Sequence, residues 1–484
     1  MSRTLVAGVE VDTGHFIDGK RVASRRAFAV ESPIDGSRLG EVAAGGAEEV
    51  AAAVAAARRA FPAWAALGAG GRHALLKRFA QGIRERAAEL AAVETVDNGS
   101  LLAGNLARVV PRAAQNIEFF ADWALRLGHE TIDSPEVVNH VRFDPAGVAA
   151  LITPWNAPLM LTTWKLGPAL AAGNTVVVKP PEWAPLTCSL LADLAAQAGV
   201  PAGVLNLVQG IGEEAGAALA AHPGIDRLSF TGSTDTARLI GQSTARSLTP
   251  VAFELGGKSP LVVCADADLD AAAQTAAGQY ANAGQVCLAG TRILVEAAVA
   301  DEFRARLRSA VERMVVGDPR EKATRVGPLI TREHFARVSG FVERALAAGA
   351  VPVCGGKRHG AGELYFEPTL LENASQTSEV VQREVFGPVL TWQTFRDDAE
   401  LLALANGTEY GLAATIFSRS EERALRIARG VVAGTVWVNC YFVRELAAPF
   451  GGSRKSGIGR EGGTWSFDFF CDVKNIAVRK ASFA

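Results

Sequence analysis

From residue 147 onward the chain alternates short apolar runs, at 148–152, 175–178, 204–208, 227–230 and 261–263, with stretches of helical periodicity. A run that is too short for a helix and apolar at every position has to be covered on both faces. Intervening helices supply that cover, so the pattern restricts this part of the chain to βα units around a parallel sheet. A second series starts near Arg292-Ile293-Leu294-Val295 and continues past residue 430. With 484 residues the chain exceeds what one core organises, and two α/β domains are expected. The first 130 residues read as mostly helical after a short strand and turn at Phe16-Ile17-Asp18-Gly19-Lys20. Segments 47–64 and 72–96 are Ala-rich and amphipathic, and Asn98-Gly99 is a stop signal.

Charge and cysteine usage remove several function classes. A net charge of −2 gives no electrostatic reason for a nucleic acid or an anionic membrane as partner. No segment approaches the ~18 consecutive apolar residues that span a bilayer. The first apolar stretch is cut by Glu10 and Asp12, which excludes a secretory signal. Cys188, Cys264, Cys287, Cys354, Cys440 and Cys471 form no CxxC pair, so neither a metal site nor a disulfide framework is expected. A reducing, cytoplasmic setting fits that usage. Cys264 closes an apolar run and reads as core.

Cys287 differs from the other thiols. It lies among small residues in Asn282-Ala-Gly-Gln-Val-Cys287-Leu-Ala-Gly, 33 positions after Glu254 of Glu254-Leu-Gly-Gly-Lys-Ser-Pro. A thiolate attacks carbonyl carbon well, and an upstream carboxylate is a candidate base. Asn156, in the Pro-bounded loop Thr153-Pro-Trp-Asn156-Ala-Pro158, has an amide suited to a developing oxyanion, although an Asn in such a loop also makes turns. Three βα junctions suit a dinucleotide. Lys179 and Glu182 follow an apolar run, and a carboxylate there accepts ribose hydroxyls and repels a 2′-phosphate. Gln209-Gly-Ile-Gly212-Glu-Glu-Ala-Gly216 is a Gly-rich turn that misses the usual fingerprint spacing. Gly232 and Ser233 open a helix, where backbone N–H groups and a hydroxyl meet phosphate. Turn and cap chemistry alone accounts for each junction singly; their order along one sheet favours a nucleotide.

Together with Phe230-Thr-Gly-Ser, Glu384-Val-Phe-Gly-Pro388 and Pro449-Phe-Gly-Gly-Ser-Arg-Lys-Ser-Gly-Ile-Gly-Arg-Glu461, these segments resemble the aldehyde dehydrogenase superfamily across most of the chain. The resemblance implies an α/β fold with a Rossmann-like NAD-binding domain (1–127 and 146–255), an α/β catalytic domain (256–464) and a small β oligomerisation element (128–145 and 465–484). It implies oxidation of an aldehyde to its acid with NAD, NADP being a weaker option. Cys287 is the implied nucleophile, with Asn156 and the Cys287 N–H as the oxyanion site and Glu254 activating water. Lys165 and Glu461 match a proposed proton relay. Lys179, Glu182, Gly212, Gly232, Ser233, Glu384, Phe386 and Trp155 are the implied cofactor residues. Ala237 departs from the family, which commonly has Gly in that helix.

The segments 110–122, 438–446 and 460–467 resemble the hydroxymuconic semialdehyde branch, including its carboxymethyl type. There the arginines matching Arg112 and Arg444 hold a substrate carboxylate, and guanidinium suits that task. The other reading is a neutral aromatic or medium-chain aldehyde, given room by Ala157 and walls by Trp164 and Phe442. A CoA-acylating enzyme is disfavoured by Glu254, and a non-catalytic protein by the joint presence of Cys287, Asn156 and Glu254. The segment 468–478 alternates imperfectly and reads as an edge that pairs with another subunit, giving a homodimer or homotetramer.

Overall fold

A computed structural model describes residues 3–128 and 130–480. Two large sheets form its framework. The first has eight strands. At its centre are the parallel strands Val251–Glu254, Arg227–Thr231, Val148–Ile152, Thr175–Lys179 and Leu205–Leu207, in that order, with His15–Ile17 and Lys20–Val22 added antiparallel at one edge. The two inner strands Val148–Ile152 and Thr175–Lys179 are buried at every position, as their uninterrupted apolar pattern requires. The opposite edge is closed by Gly457–Ile458, which returns from far along the chain to pair antiparallel with Phe253 and Glu254. That strand falls within the segment 256–464 expected to belong to the other domain.

The second sheet has seven strands and runs Val351–Cys354, Thr369–Glu372, Val389–Phe395, Arg292–Glu296, Pro260–Val263, Ala413–Phe417 and Thr435–Val438. All its pairings are parallel except that of Val351–Cys354. The run at 261–263, read with the first series, therefore belongs here. Its residue Cys264 is fully buried.

The N-terminal region holds more strand than its composition suggests. The hairpins Arg3–Val6 with Val9–Asp12 and Ala27–Glu31 with Arg38–Ala43 precede the first helix. Helix Ala47–Ala66 follows, and the segment read as one helix over 72–96 is divided at Arg86 (φ −103°, ψ 25°) into Gly68–Glu85 and Ala87–Asn98. Gly99 ends the latter in the left-handed region at φ 77°. A third sheet pairs Cys471–Arg479 with Val137–Pro145 over nine residues, and the latter with Thr131–Asp133. Residues 468–470, expected in that strand, end helix Gly463–Phe470 instead.

Candidate active site

The C-terminal ends of the first sheet's central strands deliver the predicted residues to one place. Strand Val148–Ile152 gives way to the loop that carries Trp155 and Asn156, and helix Pro158–Ala172 starts directly after it, with Ala157 half-buried at its N-cap. Strand Val251–Glu254 ends on Glu254, which is buried. Cys287 follows a tight turn in which Asn282, Ala283 and Gly284 have φ of 53°, 52° and 69°. Three left-handed residues in succession cost backbone energy, a sign that surrounding structure fixes this loop. One such restraint is Asn156, whose Nδ2 donates to the Gln285 carbonyl at 2.9 Å, while its own carbonyl accepts from Asn282 Nδ2 at 3.1 Å. The Asn156 amide is thereby held against the cysteine loop with one N–H to spare.

Electrostatics here disfavour negative charge. Burial, then Glu384 and Glu254, push the Cys287 thiol up to about 12, with Arg444 and the Leu288 N–H opposing. Burial and neighbouring Glu461 likewise hold the Glu254 carboxyl well above the usual carboxylate range, against the pull of Lys165, Arg444 and Arg460. Glu254 packs against Gly451, where an added Cβ would lie 2.9 Å from Oε1. Behind Glu254, Lys165 Nζ donates to Glu461 Oε1 at 2.9 Å and to Ser229 Oγ at 2.7 Å. The Trp164 indole N–H donates to the second Glu461 oxygen, so Trp164, buried, is tied to Glu461 and is not among the residues that line the cavity at Cys287.

The three βα junctions also converge. Lys179 pairs with Glu182, and Glu182 Oε1 accepts from the Gly212 N–H at 3.4 Å, which joins the first two. The Gly232 N–H donates to the Glu254 carbonyl at 3.1 Å. Ser233 caps helix Thr234–Thr244 through a bond from the Thr236 N–H at 3.1 Å, so its hydroxyl performs the cap role. Ala237 is buried on that helix. A cavity of about 280 Å³ is lined by Trp155, Asn156, Gly232, Ser233, Glu254, Cys287, Glu384 and Phe386, among others. Glu384 Oε1 accepts from the Gly257 N–H at 3.0 Å, and an added Cβ on Gly256 would fall 2.1 Å from Oε2. Its second oxygen makes no bond, which leaves an acceptor for a ribose hydroxyl, and a ring can lie against Phe386. The residues present fit a nicotinamide dinucleotide.

Arg112 and Arg444 are neighbours. Both Arg112 Nη atoms lie 3.4 Å from the Arg444 carbonyl, and the Arg444 guanidinium stacks 3.6 Å above Phe450 and 4.8 Å from the Trp164 ring. Among the described residues neither forms an ion pair. Burial and Arg112 lower Arg444 to about 10, opposed by Glu254, Glu461 and Cys287. Phe442 is exposed and leans on Tyr441 at 5.9 Å.

The profile of the aldehyde dehydrogenase family matches residues 20–476. The chain belongs to the aldehyde dehydrogenase family. It is 42% identical over 482 residues to 2-hydroxymuconic semialdehyde dehydrogenase of Pseudomonas sp. strain CF600, covering 96% of this chain and 99% of that one. It is 41% identical to 5-carboxymethyl-2-hydroxymuconate semialdehyde dehydrogenase of Escherichia coli, with 93% and 98% covered. A solved P. syringae indole-3-acetaldehyde dehydrogenase, in complex with NAD+ and IAA, superposes with a TM-score of 0.95 at 38% identity, covering 97% of each chain. The protein is thus an NAD(P)-dependent aldehyde dehydrogenase with the expected α/β fold. Sequence reading passed over Tyr441, electrostatically coupled to Cys287, and His334, which lines the cofactor cavity of this dehydrogenase. A lone His on a helix carries no signal of its own, whereas Tyr441 lies within the segment singled out for Arg444.

Proposed function

We propose that the enzyme oxidises an aldehyde that also bears a carboxylate, of the hydroxymuconic semialdehyde class. The observation that carries this is the pair Arg112 and Arg444: the Arg112 guanidinium reaches the Arg444 backbone carbonyl, Arg444 lies within electrostatic reach of Cys287, and among the described residues neither arginine forms an ion pair. Two half-buried guanidiniums, acted on by Glu254, Glu461 and Glu445 only at a distance, are free to take a ligand carboxylate as their direct partner. The names of the relatives above point the same way. Cys287 Sγ attacks the aldehyde carbon as its proton passes to Glu254, and the Asn156 amide with the Cys287 N–H holds the oxyanion. Such a donor typically contributes ~3 kcal/mol. A bound nicotinamide dinucleotide would supply the hydride acceptor needed to oxidise the thiohemiacetal to a thioester. Glu254 takes a proton from the water that releases the acid, and Lys165 with Glu461 carries protons away from it. Lys179, Glu182, Gly212, Gly232, Ser233, Glu384, Phe386 and Trp155 would hold the dinucleotide, with Glu182 opposing a 2′-phosphate.

The strand Cys471–Arg479 leaves its outer edge unpaired and exposes Val473 and Ile476, so it is read as the contact between subunits of a homodimer or homotetramer. All six cysteines are free thiols, in keeping with a cytoplasmic enzyme. The deciding experiment compares a hydroxymuconic semialdehyde with hexanal and benzaldehyde by NADH formation, in the parent and in Arg112→Ala/Arg444→Ala. Selective loss of the acidic substrate supports the reading. Neutral aldehydes turned over as well as the acidic one, unaffected by the mutations, would overturn it.

A further inference from the structure

Cys287 and Asn156 reach the reacting centre from different sheets. Asn156 follows strand Val148–Ile152 of the first, whereas the loop of Cys287 leads into strand Arg292–Glu296 of the second. An oxyanion held between them requires the two loops to be in register to within about 0.5 Å. The side chain that ties them is Gln285. It is buried, and both its polar atoms are bonded to backbone. Nε2 donates to the Asn282 carbonyl at 3.0 Å and to the Pro328 carbonyl at 3.3 Å, and Oε1 accepts from the Ile330 N–H at 3.0 Å. The Gln285 backbone, at φ −82° and ψ 53°, follows neither a helix nor a strand, so no regular structure directs its carbonyl. That carbonyl nevertheless accepts from Asn156 Nδ2 at 2.9 Å and from Asn282 Nδ2 at 3.4 Å.

The segment 328–330, to which the Gln285 side chain is bonded, rests on the end of helix Ala87–Asn98. An added Cβ on Gly99 would lie 2.8 Å from Pro328 Cγ, and one on Gly327 would lie 2.6 Å from the Gly99 carbonyl oxygen. Beside Gly99, Asn98 Nδ2 lies 3.5 Å from the carbonyl of Trp155, the residue before Asn156. The contacts close a circuit: Gln285 to Pro328, Pro328 to Gly99, Asn98 to Trp155, and Asn156 back to Gln285. Asn282 Nδ2 braces it from inside by donating to the Asn156 carbonyl at 3.1 Å. With one Asn156 amide N–H committed to the Gln285 carbonyl, the planarity of the amide fixes the direction of the other.

We infer that Gln285 and Asn282 are positioning residues: they lock the Asn156 amide to the cysteine loop and so aim its free N–H at the oxygen of an aldehyde on Cys287. This rests on the reading above that Asn156 donates to the oxyanion. Gln285→Met keeps the length of the side chain and removes its three bonds. Asn282→Gly removes the second amide while leaving a residue at ease in the left-handed conformation of that position. Each variant is expected to lower kcat/KM, for whichever of the three aldehydes above the parent oxidises best, by about 10-fold or more. Loss of a whole oxyanion donor costs ~10²–10³-fold, and a misaimed donor costs part of that. NADH affinity, followed by fluorescence, stays at the parent's value. In an Asn156→Ala background the same substitutions have little further effect, because the group they aim is gone; a general loosening of the fold would instead add its own loss. Unchanged kcat/KM in either folded variant, or losses that multiply in full on top of Asn156→Ala, would overturn the inference. Should Gln285→Met fail to fold, Asn282→Gly decides alone. Asn156→Ala by itself separates the two ways of failing. If it lowers kcat/KM and the loop variants do not, positioning is wrong; if it too is unchanged, the oxyanion reading is wrong and the inference falls with it.

Discussion

Lys165 and Glu461 form an ion pair closed to solvent on both sides, with side chains 0% and 6% exposed. Most of the enzyme's other ion pairs have at least one partner well exposed, and such pairs contribute little. This pair differs because either charge alone would be stranded beside Glu254. Lys165→Met is expected to destabilise the fold by about 3–5 kcal/mol, the usual cost of breaking a buried pair from one side. Lys165→Met/Glu461→Gln recovers part of that loss, since the amide is uncharged and its carbonyl still accepts from Trp164. Chemical denaturation midpoints of the two variants, compared with the parent, check the ordering.

The resting thiol of Cys287 is expected to react slowly with iodoacetamide at neutral pH. Only the thiolate is alkylated, and burial with two carboxylate neighbours pushes this group up to about 12. The alkylation rate of the cofactor-free enzyme should climb with pH without levelling as far as the fold tolerates. A plateau near neutrality would contradict the electrostatic picture.

Glu94 offers a test of stability against pH. Burial raises its carboxyl from 4.5 to about 7, while bonds from Thr187 and the Leu159 N–H oppose the shift. Between those two values the folded state holds a proton that the unfolded state has lost, so stability falls as pH rises through the window. Glu94→Gln removes Glu94's share of the dependence, leaving that of Asp97 beside it. At pH 8 the variant is expected to match or exceed the parent, by up to about 3 kcal/mol, and at pH 4 the difference largely vanishes. Urea unfolding at the two pH values is the measurement.

The edge strand Cys471–Arg479 predicts its own effect. Val473→Asp/Ile476→Asp places charge on two exposed apolar positions, at 53% and 41% exposure, without touching the core. Sedimentation velocity is expected to show smaller species for this variant than for the parent.

How much of this was legible beforehand depends on the kind of signal each residue leaves. The strands at 148–152 and 175–179 are readable because burial on both faces demands an uninterrupted apolar run. The N-terminal hairpins are not: strands such as Arg3–Val6 and Ala27–Glu31 are half exposed and short, and their partners are chosen by tertiary packing. The break at Arg86 also escapes notice, because neither Gly nor Pro marks it. Cys287, Asn156 and Glu254 stand out through the small residues and prolines that their loops require. His334 leaves no such trace, since its place beside Phe386 comes from where the chain folds back. Ser233 is the opposite case, in which a strong local signal describes a helix cap at least as well as a phosphate ligand.

The short strand Gly457–Ile458 bears on how the molecule is made. It closes the sheet edge next to Glu254, yet it leaves the ribosome more than two hundred residues after that edge. Throughout that interval the nascent first sheet presents an open row of backbone donors and acceptors at the strand that ends on Glu254. Folding of the cofactor sheet is thus completed only when the last part of the chain emerges, and a protein truncated before Gly457 would carry a permanent template for aggregation.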